Sequence, residues 1–583
     1  MTQPRAFLGV EQSVSGRRWV GPTDAQERLA ELTAQRVALP RPVCQTLARM
    51  GVDPETAEQY LAPSLRDLMS DPSQLNDMDA AVTRLVDAVN AKQKIAIFAD
   101  YDVDGGASAA LLLIWLRELG MAATLYIPDR VDEGYGPSEP AMAQLASRHD
   151  LIICVDCGTL SHDPIAAADG ADVIILDHHL GGERLPEAVA VVNPNRQDEP
   201  GDLGHLCAAG VVFLLLVAAN RARRLAGQDF PDLMSLLDLV ALATVADVAP
   251  LVGLNRAFVR QGLKVMAQRQ RVGLVALGDI AQLQSAPTAY HLGFVFGPRL
   301  NAGGRIGAPD LGARLMTTQD PAEAQALAER LEGLNSDRRD IEAAVREAAL
   351  SQAETRGMEA PLTWAAGEGW HPGVVGIVAA RLKDATNRPS VVIGLDGEVG
   401  KGSGRSVAGI DIGAQIQRLA KEGLLIKGGG HKMAAGLTVA RDKLEDAMAR
   451  LSEMMAAQGA GQLGPKDLVV DGVVSTHGLN VDIIEQLEAA GPFGAGAPAP
   501  RFVFADQSIR FCKPVGGNHL KFSFGEPGGA TLDAIAFGAF SGPIGPKLQN
   551  HAGHRFHLAG RVEINSWGGR QSVQLRLEDV AQV

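Results

Sequence analysis

The sequence predicts an α/β fold: a parallel β-sheet domain, a long helix, a second α/β domain and a C-terminal small β-barrel. Short apolar runs, among them KIAIFA from residue 94, LIICV from residue 151 and VIIL from residue 173, alternate with segments of helical length. Continuous apolar strands that alternate with helices are typical of parallel sheets covered on both faces. The 583 residues exceed one hydrophobic core, so about three or four domains are expected.

Composition excludes several classes of protein. The net charge of −14 argues against a broad basic face that coats nucleic acid, although a local basic groove remains compatible with it. The five cysteines are few and scattered, which argues against a secreted disulfide framework. The N-terminus lacks an apolar signal core, and the apolar stretch from Cys207 is too short to span a bilayer. We therefore expect a cytoplasmic protein without a membrane segment, with a buried helix after Cys207.

Changes of pattern along the chain predict five segments. The charged amphipathic stretch before residue 360 suits a connector helix, and a surface helix of either neighbouring domain fits the same pattern equally well. Residues after 465 alternate β-type runs with Gly/Pro turns, as small barrels do. The segments are an N-terminal extension (1–80), a parallel-sheet domain (81–265), a helical connector (266–360), a second α/β domain with glycine-rich turns (361–460) and a small β-barrel domain (461–583).

Acidic residues follow the apolar runs of the first α/β domain. The first run leads into DYDVDGG at residue 100, the second into Asp156, and the third into Asp177-His178-His179. A fourth acid, Asp247, ends the run LDLVALATVAD. Ligands of open α/β sheets bind outside the carboxyl ends of the strands, where neighbouring parallel strands meet at one edge. We therefore expect one cluster of acidic and histidine side chains: Asp100, Asp102, Asp104, Asp156, Asp177, His178, His179 and Asp247.

Such a cluster requires a cation, because carboxylates held close together raise one another's pKa. The donors are oxygen-rich, with one or two imidazoles and no committed thiolate, which favours Mn²⁺ or Mg²⁺ over structural zinc. About six ligands suffice for two divalent cations that share a bridging carboxylate. Asp156 is the expected bridge, although taken alone it suits a turn or helix-cap position equally well.

The motifs DYDVDG, VDCG, DHH and VAD, in this order, resemble motifs one to four of the DHH phosphoesterase superfamily. The later RLNAGGR and KGGGHKMAAG resemble the DHH-associated domain that follows in that superfamily. With the N-terminal extension and the C-terminal β region, the layout resembles the RecJ family of single-strand-specific 5′→3′ exonucleases. The resemblance covers about residues 90–580. It implies that 81–265 is the DHH catalytic domain, 361–460 the DHH-associated substrate-binding domain and 461–583 an OB-like nucleic-acid-binding domain.

The resemblance implies a role for each residue of the cluster. The implied metal ligands are Asp102, Asp156 and Asp247 for one ion, Asp104, Asp156 and His178 for the other, and Asp100 as an additional ligand. Asp156, His179 and Asp177 form the implied catalytic group, in which His179 faces the substrate phosphate and Asp177 supports the histidines. Several relatives have a histidine at the position of Phe98, so the ligands of the first ion stay open.

The glycine-rich segments KGSGRS (401–406) and KGGGHKMAAG (427–436) and the arginine motif RLNAGGR supply groups that could hold a nucleic-acid backbone. Taken alone, these segments suit structural turns or a loop as well as a binding site. The resemblance implies that Ser403, Arg405 and a turn at Gly429–His431 grip the nucleotide across a cleft from the metals. The implied substrate-binding residues are Arg299, Asn301, Arg305, Ser403, Arg405, Gly429, Gly430 and His431. In the C-terminal region, Phe502, Phe504, Phe511 and Phe522 are expected in the barrel core.

The expected function is two-metal hydrolysis of single-stranded DNA to 5′-mononucleotides in DNA repair and recombination. Polarity and strand specificity come from the resemblance alone. Three alternatives remain: a manganese-dependent pyrophosphatase, a short-oligonucleotide or cyclic-dinucleotide phosphodiesterase of the DHH superfamily, and an inactive DNA-binding scaffold. The expected partners are single-stranded DNA, a single-strand-binding protein and a repair helicase, with the chain acting as a monomer.

Overall fold

The computed structural model describes residues 6–130, 133–462, 466–526, 529–567 and 569–583. The chain divides into two compact units, one formed by Met1–Leu68 with Pro465–Val583 and the other by Met69–Gly464. The first unit therefore combines the two ends of the chain, and the second contains the parallel sheet and all the predicted site residues.

The N-terminal part of the first unit is mostly helical. Trp19 is fully buried, and its indole N–H donates a hydrogen bond of 3.0 Å to the Asp579 carboxylate near the C-terminus. A capping box of Thr23 and Gln26 begins the first helix. The elements are β1 (Trp19–Val20), α1 (Asp24–Arg36), α2 (Arg41–Arg49), α3 (Ala57–Leu61) and α4 (Leu65–Leu68).

The second unit begins with the predicted parallel sheet, which the structure confirms. Its elements are α5 (Met78–Asn90), β2 (Ile95–Ala99), α6 (Val103–Glu118), β3 (Ala123–Tyr126), α7 (Glu139–Ala146), β4 (Leu151–Val155), α8 (His162–Ala166), β5 (Asp172–Leu176) and β6 (Ala190–Val192). The strand order is β3-β2-β4-β5-β6, and every pairing is parallel. Strands β2 and β4 are buried along their whole length. Because β2, β4 and β5 are neighbours, their carboxyl ends lie side by side.

A helical region follows the sheet. It consists of α9 (Ala208–Leu225), α10 (Leu237–Ala246), α11 (Gly253–Ala267), α12 (Val272–Ile280), α13 (Ala289–His291), a π-helical turn (Leu292–Phe296), α14 (Gly297–Ile306), α15 (Leu311–Thr317) and α16 (Pro321–Arg356). The buried helix expected after Cys207 is α9, and the charged stretch forms the 36-residue α16. Throughout the described residues, helices that combine the length and apolar character required to cross a membrane are absent.

The second α/β domain of this unit carries a five-stranded sheet in the order β10-β11-β9-β8-β7. Its elements are β7 (Thr363–Glu368), α17 (Pro372–Thr386), β8 (Ser390–Asp396), β9 (Val399–Arg405), α18 (Ile412–Lys421), β10 (Lys427–His431), β11 (Ala434–Ala440) and α19 (Leu444–Ala457). Strands β7 and β8 pair parallel, and the other pairings are antiparallel.

The prediction of turns at the two glycine-rich segments is wrong, because both segments are strands, β9 and β10. Close packing explains the glycines of β9. A Cβ at Gly400 or Gly402 would lie 2.8 or 2.7 Å from side-chain carbons of Ile393, and one at Gly404 would lie 2.7 Å from Ile412. These glycines let the neighbouring strand and helix approach the sheet. A sequence pattern alone cannot separate that role from turn formation.

The C-terminal part of the first unit contains the expected barrel. Its elements are β12 (Leu468–Val469), β13 (Gly472–Val473), α20 (Val481–Ala489), β14 (Phe502–Val515), β15 (His519–Gly525), β16 (Thr531–Ala536), α21 (Ile544–Gln549), β17 (Arg555–Trp567) and β18 (Arg570–Gln582). Strands β14-β15-β16-β18-β17 form the barrel, which pairing between β14 and β17 closes. β13 pairs with β14, and β1 pairs with β12.

The barrel core contains three of the four predicted phenylalanines. Phe502, Phe504 and Phe522 are fully buried, whereas Phe511 is 53% exposed. The prediction for Phe511 is wrong because the pairing of β14 with β15 shifts register between Ile509 and Phe511. A shift of one residue turns the following side chains to the opposite face of a strand.

Candidate metal centre

Three carboxylates of the candidate centre follow neighbouring strands of the parallel sheet. Asp100 follows β2, Asp156 follows β4 and Asp177 follows β5, and each is at most 3% exposed. Asp247 approaches from a different direction, since it caps the carboxyl end of helix α10. The structure thus brings four acids together from three strand ends and one helix end.

The start of helix α6 positions two further acids. Asp102 is the N-cap residue, and its carboxylate accepts hydrogen bonds of 2.8 and 3.2 Å from the N–H groups of Asp104 and Gly105. A Cβ on Gly105 would lie 2.4 Å from the Asp100 carbonyl oxygen. Glycine at this position therefore allows the helix to begin directly against the end of β2.

Asp104 is buried and is held by a second helix. Its two carboxylate oxygens accept hydrogen bonds of 2.7 and 2.8 Å from the N–H groups of Ala208 and Ala209, the first residues of α9. The amino end of a helix carries a partial positive charge that stabilises an anion. The apolar helix after Cys207 therefore also fixes one of the predicted metal ligands.

His178 lies at the centre of the carboxylates. Its Nε2 atom is 3.3 Å from Asp156 Oδ1, 3.7 Å from Asp104 Oδ2 and 3.8 Å from Asp247 Oδ2. Three groups of side chains place their possible ligand atoms within 4.8 Å of one another: Asp104, His178 and Asp247; Asp100, Asp102 and Asp156; and Asp156, His178 and His179. Asp156 and His178 each belong to two of these groups, and Asp156 is the carboxylate shared between two of them.

Asp177 holds the second histidine. Its carboxylate accepts hydrogen bonds from His179 Nδ1 at 2.8 Å and from Thr159 Oγ1 at 2.7 Å, together with three backbone N–H groups. Burial alone would raise the pKa of Asp177, but the hydrogen bond and charge of His179 and the bonds from Thr159 bring it below its usual range. Asp177 therefore orients His179 as an ionised carboxylate.

Sequence reasoning missed the residues that orient the histidine backbone. Asn193 Nδ2 donates to the His179 carbonyl oxygen at 2.8 Å and to Thr159 Oγ1 at 2.9 Å, and Asn195 Nδ2 donates to the His178 carbonyl oxygen at 2.6 Å. Both asparagines follow β6, a fourth strand end in the same sheet. The NPN sequence after the run AVV was the available signal.

Tyr135 and Arg130 were also missed. The Tyr135 hydroxyl donates to the Asp156 carbonyl oxygen at 3.1 Å and lies 3.2 Å from both ring nitrogens of His179. The guanidinium of Arg130 lies 5.1 Å from the centre of the Tyr101 ring. Neither residue belongs to the four motifs, and both come from the segment between β3 and α7, which carries no periodic pattern.

Buried carboxylate oxygens without hydrogen-bond donors indicate where a cation would bind. Asp156 also has a φ of 60°, in the left-handed region that favours glycine. The Oδ1 atoms of Asp156 and Asp100 are buried and make no hydrogen bond to any described residue. Buried carboxylate oxygens without a donor are costly unless a cation neutralises them. The donor set therefore fits hard divalent cations.

Burial and the closeness of the acids also shift the pKa values of the cluster. Burial, together with the charges of Asp104 and Asp102, raises the pKa of Asp156 well above its usual value and raises the pKa of Asp247 to about 8. Burial alone would lower the pKa of His179, but the hydrogen bond and charge of Asp177, with the charges of other acids, raise it to about 9. The cation-free cluster thus retains protons that the unfolded chain has released.

These shifts predict that the cation-free protein loses stability as the pH rises. A group whose pKa is raised by folding stabilises fully below its unfolded pKa and loses that stabilisation as the pH passes its folded pKa. For the acids this window runs from about 4 upwards, to about 8 for Asp247. We expect the Tm in EDTA to fall by about 5 °C between pH 5.5 and 8.5, measured by calorimetry.

Mn²⁺ should reverse this loss, because it binds the ionised form of the folded protein. The isosteric Asp156→Asn variant should show both a smaller pH effect and a smaller Mn²⁺ effect. A Tm in EDTA that rises over the same pH range would contradict the account of the cluster.

The arginine motif lies on helix α14, beside the metal centre. Asn301 Oδ1 accepts a hydrogen bond of 3.1 Å from the N–H of Val103, next to Asp102, and Arg305 Nη1 donates to the Gly373 carbonyl oxygen at 3.1 Å. Burial lowers the pKa of Arg305 to about 10. Arg299 forms an ion pair with Glu332 of α16. The structure thus brings Asn301 to the start of α6, and Arg305 bonds to the first turn of α17.

Ser403 and Arg405 lie together at the end of β9. Arg405 Nη1 donates to Ser403 Oγ at 2.7 Å, and a Cβ on Gly376 would come within 3.2 Å of both side chains. Burial and repulsion by Arg130 lower the pKa of Arg405. Burial raises the pKa of Asp100 well above its usual value, and the charge of Arg130 opposes this rise.

The predicted residues Gly429, Gly430 and His431 lie on strand β10. Gly430 has a φ of 148°, and a Cβ there would lie 2.4 Å from the Ala435 Cα on the paired strand β11. Gly429 has open space beside it, and the His431 side chain is exposed. The described contacts do not join these three residues to the acidic cluster.

Comparison with family models gives three matches along the chain. Residues 94–244 match the DHH family N-terminal domain, residues 359–457 match the DHHA1 domain, and residues 470–579 match the RecJ OB domain. All six implied metal ligands except Asp247 lie within the first of these matches.

Full-length relatives and solved structures agree with these matches. The chain is 38% identical to the single-stranded-DNA-specific exonuclease RecJ of Dickeya dadantii over 89% of this chain and 93% of that protein. It is 33% identical to RecJ of Bacillus subtilis over 97% of this chain and 71% of that protein. The crystal structure of RecJ from Thermus thermophilus in complex with Mn²⁺ has a TM-score of 0.79 at 28% identity, covering 96% of this chain and 79% of that one. The chain therefore belongs to the RecJ family of single-stranded-DNA-specific exonucleases.

Proposed function

We propose that this protein degrades single-stranded DNA from its 5′ end, releasing 5′-mononucleotides with the aid of two divalent cations, Mn²⁺ or Mg²⁺. The observation that carries the proposal is the gathering of buried acids around His178, with Asp156 Oδ1 and Asp100 Oδ1 lacking hydrogen-bond donors among the described residues. RecJ relatives named as single-stranded-DNA-specific exonucleases, which match most of the chain, supply the substrate class. DNA repair and recombination are the processes that require such an activity.

We propose that the six acidic and imidazole side chains hold the cations in two overlapping sets. Asp156 belongs to both sets; the others are Asp102 and Asp247 in one, Asp104 and His178 in the second, with Asp100 as an additional ligand. When bound, divalent cations of such a pair make a water molecule more acidic and neutralise charge on the phosphate. The chain's own contribution is to fix these ligands through three helix ends, those of α6, α9 and α10, and three strand ends.

His179 is the proposed contact to the scissile phosphate. Its Nδ1 atom is engaged by Asp177, and its ring packs edge-on against Tyr135 with centroids 5.7 Å apart. The hydrogen bond to Asp177 and the ring contact with Tyr135 together restrict rotation of the imidazole. A positioned imidazole that carries a proton can donate to a phosphate oxygen as negative charge develops there.

Groups of the second α/β domain and of α14 are the proposed grip on the nucleotide. Ser403 and Arg405 offer a hydroxyl and a guanidinium from the end of β9. Helix α14 offers two further guanidinium groups, from Arg299 and Arg305, and the side-chain amide of Asn301. Charge-assisted bonds from arginine suit phosphate because its planar fork matches two phosphate oxygens. Gly429, Gly430 and His431 are proposed to contact the same nucleotide from β10.

We further propose that the protein acts in the cytoplasm as a monomer, with a single-strand-binding protein and a repair helicase as partners. Such partners would expose and protect the strand that the exonuclease consumes.

The test is an assay of strand, polarity and metal. Single strands labelled at the 5′ or the 3′ end, and matched duplexes, are incubated with Mn²⁺, Mg²⁺ or EDTA. We expect the 5′ label to be released first as a mononucleotide, only with metal and only from single strands. Hydrolysis of pyrophosphate or of dinucleotides without degradation of long strands would instead select one of the smaller-substrate alternatives. Binding without any cleavage would select the scaffold.

A further inference from the structure

We propose that Tyr290 and Phe294 form a stacking platform for an unpaired base, at the entrance of an arginine-lined groove that leads to the metal centre. This inference rests on the proposed function and adds a specificity-determining contact to it. It concerns the part of the strand that has not yet reached the cleavage site.

The two aromatic rings are stacked on each other and exposed. Their centroids are 5.0 Å apart with an interplanar angle of 27°, and the residues are 57% and 69% exposed. They are four residues apart on α13 and the π-helical turn, so they project from one face. Single exposed aromatic residues need no explanation, but a stacked and exposed pair offers a flat apolar surface of the kind on which bases stack.

Phe294 lines a groove of about 520 Å³ between α14, α16 and α17. Arginine dominates its lining: the groove contains one glutamate, Glu342, and six arginines, Arg299, Arg305, Arg338, Arg339, Arg346 and Arg381. Three positions of α16, 338, 342 and 346, recur at four-residue spacing, which places them on one face of that helix. The groove therefore has a continuous charged wall.

Carboxylates neutralise only part of this charge. Glu332 pairs with Arg299 and Arg339, and Glu342 pairs with Arg338 and Arg381. Within the described part of the chain, Arg305 and Arg346 have no carboxylate partner within 4.0 Å, and the buried Nε of Arg338 has no hydrogen-bond acceptor. The groove thus retains positive charge that phosphates would neutralise.

The inner end of the groove meets the metal centre. Ala246, which lines the groove, directly precedes Asp247, and Asn301 in the same lining bonds to the backbone next to Asp102. The π-helical turn packs against the end of α10, because a Cβ on Gly293 would lie 3.3 Å from Val245. π-Helical turns are frequent at functional sites. The aromatic pair and the metal ligand Asp247 are therefore held by the same helix end.

Single-stranded DNA is the occupant that fits both features. Its phosphates suit the arginines and its unpaired bases suit the aromatic faces, whereas paired bases present no free face to the platform. An acidic peptide would use the arginines but would leave the stacked rings without a role. The continuity with the metal centre also favours the substrate strand over a separate partner.

The experiment compares Tyr290→Ala, Phe294→Ala and the double variant with Phe230→Ala, a control at another exposed aromatic residue (49% exposed) of the same unit. Kd is measured in EDTA for a 20-nucleotide strand, a trinucleotide and a duplex. We expect the double variant to bind the 20-mer at least about tenfold more weakly, with trinucleotide affinity and turnover unchanged. Circular-dichroism melts verify folding, which exposed positions should preserve.

Two further measurements separate stacking from charge. Phe294→Trp should bind normally, and its fluorescence should be quenched by oligo(dT) but not by an acidic peptide of equal charge. Arg346→Gln should lower the slope of log Kd against log salt by about 0.7, as loss of one phosphate contact to a single strand does.

Unchanged 20-mer affinity in the double variant, or equal quenching by the peptide, would overturn the stacking platform. Cleavage of the same 20-mer by the wild-type protein with Mn²⁺ tests the proposed function separately. If the wild-type protein degrades the 20-mer while the variants bind it normally in EDTA, only the stacking platform is wrong.

Discussion

Replacing Asp156 with asparagine is expected to lower kcat on single-stranded DNA at least about a thousandfold, or about 4 kcal/mol in the barrier. Asp156 is shared by two of the three candidate ligand groups, and its buried Oδ1 makes no hydrogen bond to any described residue. The amide keeps the size of the carboxylate but removes its charge, so both proposed cation sites lose a ligand at once. The measurement is single-turnover cleavage of a 5′-labelled strand with saturating Mn²⁺.

The matched control is Asp169→Asn, an exposed acid 13 positions further along the chain. It should leave kcat and metal affinity unchanged. The affinity of Asp156→Asn for DNA should stay within about threefold of wild type, because the proposed DNA contacts come from other side chains. Substantial turnover by the Asp156→Asn variant would remove this residue from the bridging role.

Replacing His178 is expected to weaken Mn²⁺ binding, whereas replacing His179 is expected to lower kcat. His178 Nε2 lies among three carboxylates, so His178→Ala should weaken Mn²⁺ binding about 100-fold or more, with part of the activity restored at high Mn²⁺. His179 is held by Asp177, so His179→Ala should lower kcat about 100-fold to 1,000-fold without changing Mn²⁺ affinity. Mn²⁺ titrations followed by calorimetry and by cleavage rate separate the two effects.

His162→Ala, at the start of α8, is the control for the loss of an imidazole elsewhere in the domain. It should match wild type in both titrations. Equal loss of Mn²⁺ affinity in His178→Ala and His179→Ala would show that both histidines bind metal, and the proposed contact between His179 and phosphate would then be withdrawn.

The parallel sheet and its acidic ends were predictable because their signal is local. Strands β2, β4 and β5 each contain an uninterrupted apolar run that ends at an acid, so their ends could be placed at one sheet edge from the rule for parallel strands. Asp247 was included through the VAD motif. Asp247 lies at the end of helix α10, and its position beside the other acids depends on how α10 packs in the domain. A local sequence pattern does not contain that information.

Other features depend on contacts between distant parts of the chain. Asn193 and Asn195 are ordinary turn residues by sequence, and their role appears only when β6 lies beside β5. The glycines of β9 suggest turns by sequence, but glycine is required there because a Cβ would collide with the side chain of Ile393 or Ile412. The pairing of β1 with β12 joins residues almost 450 positions apart, for which periodicity offers no signal.

Anomalous diffraction at the manganese edge, from crystals soaked in Mn²⁺, tests the central claim most directly. Two peaks about 3.5–4 Å apart are expected, both in contact with Asp156 and surrounded by Asp104, His178 and Asp247. The absence of any peak among these side chains at saturating Mn²⁺ would contradict it.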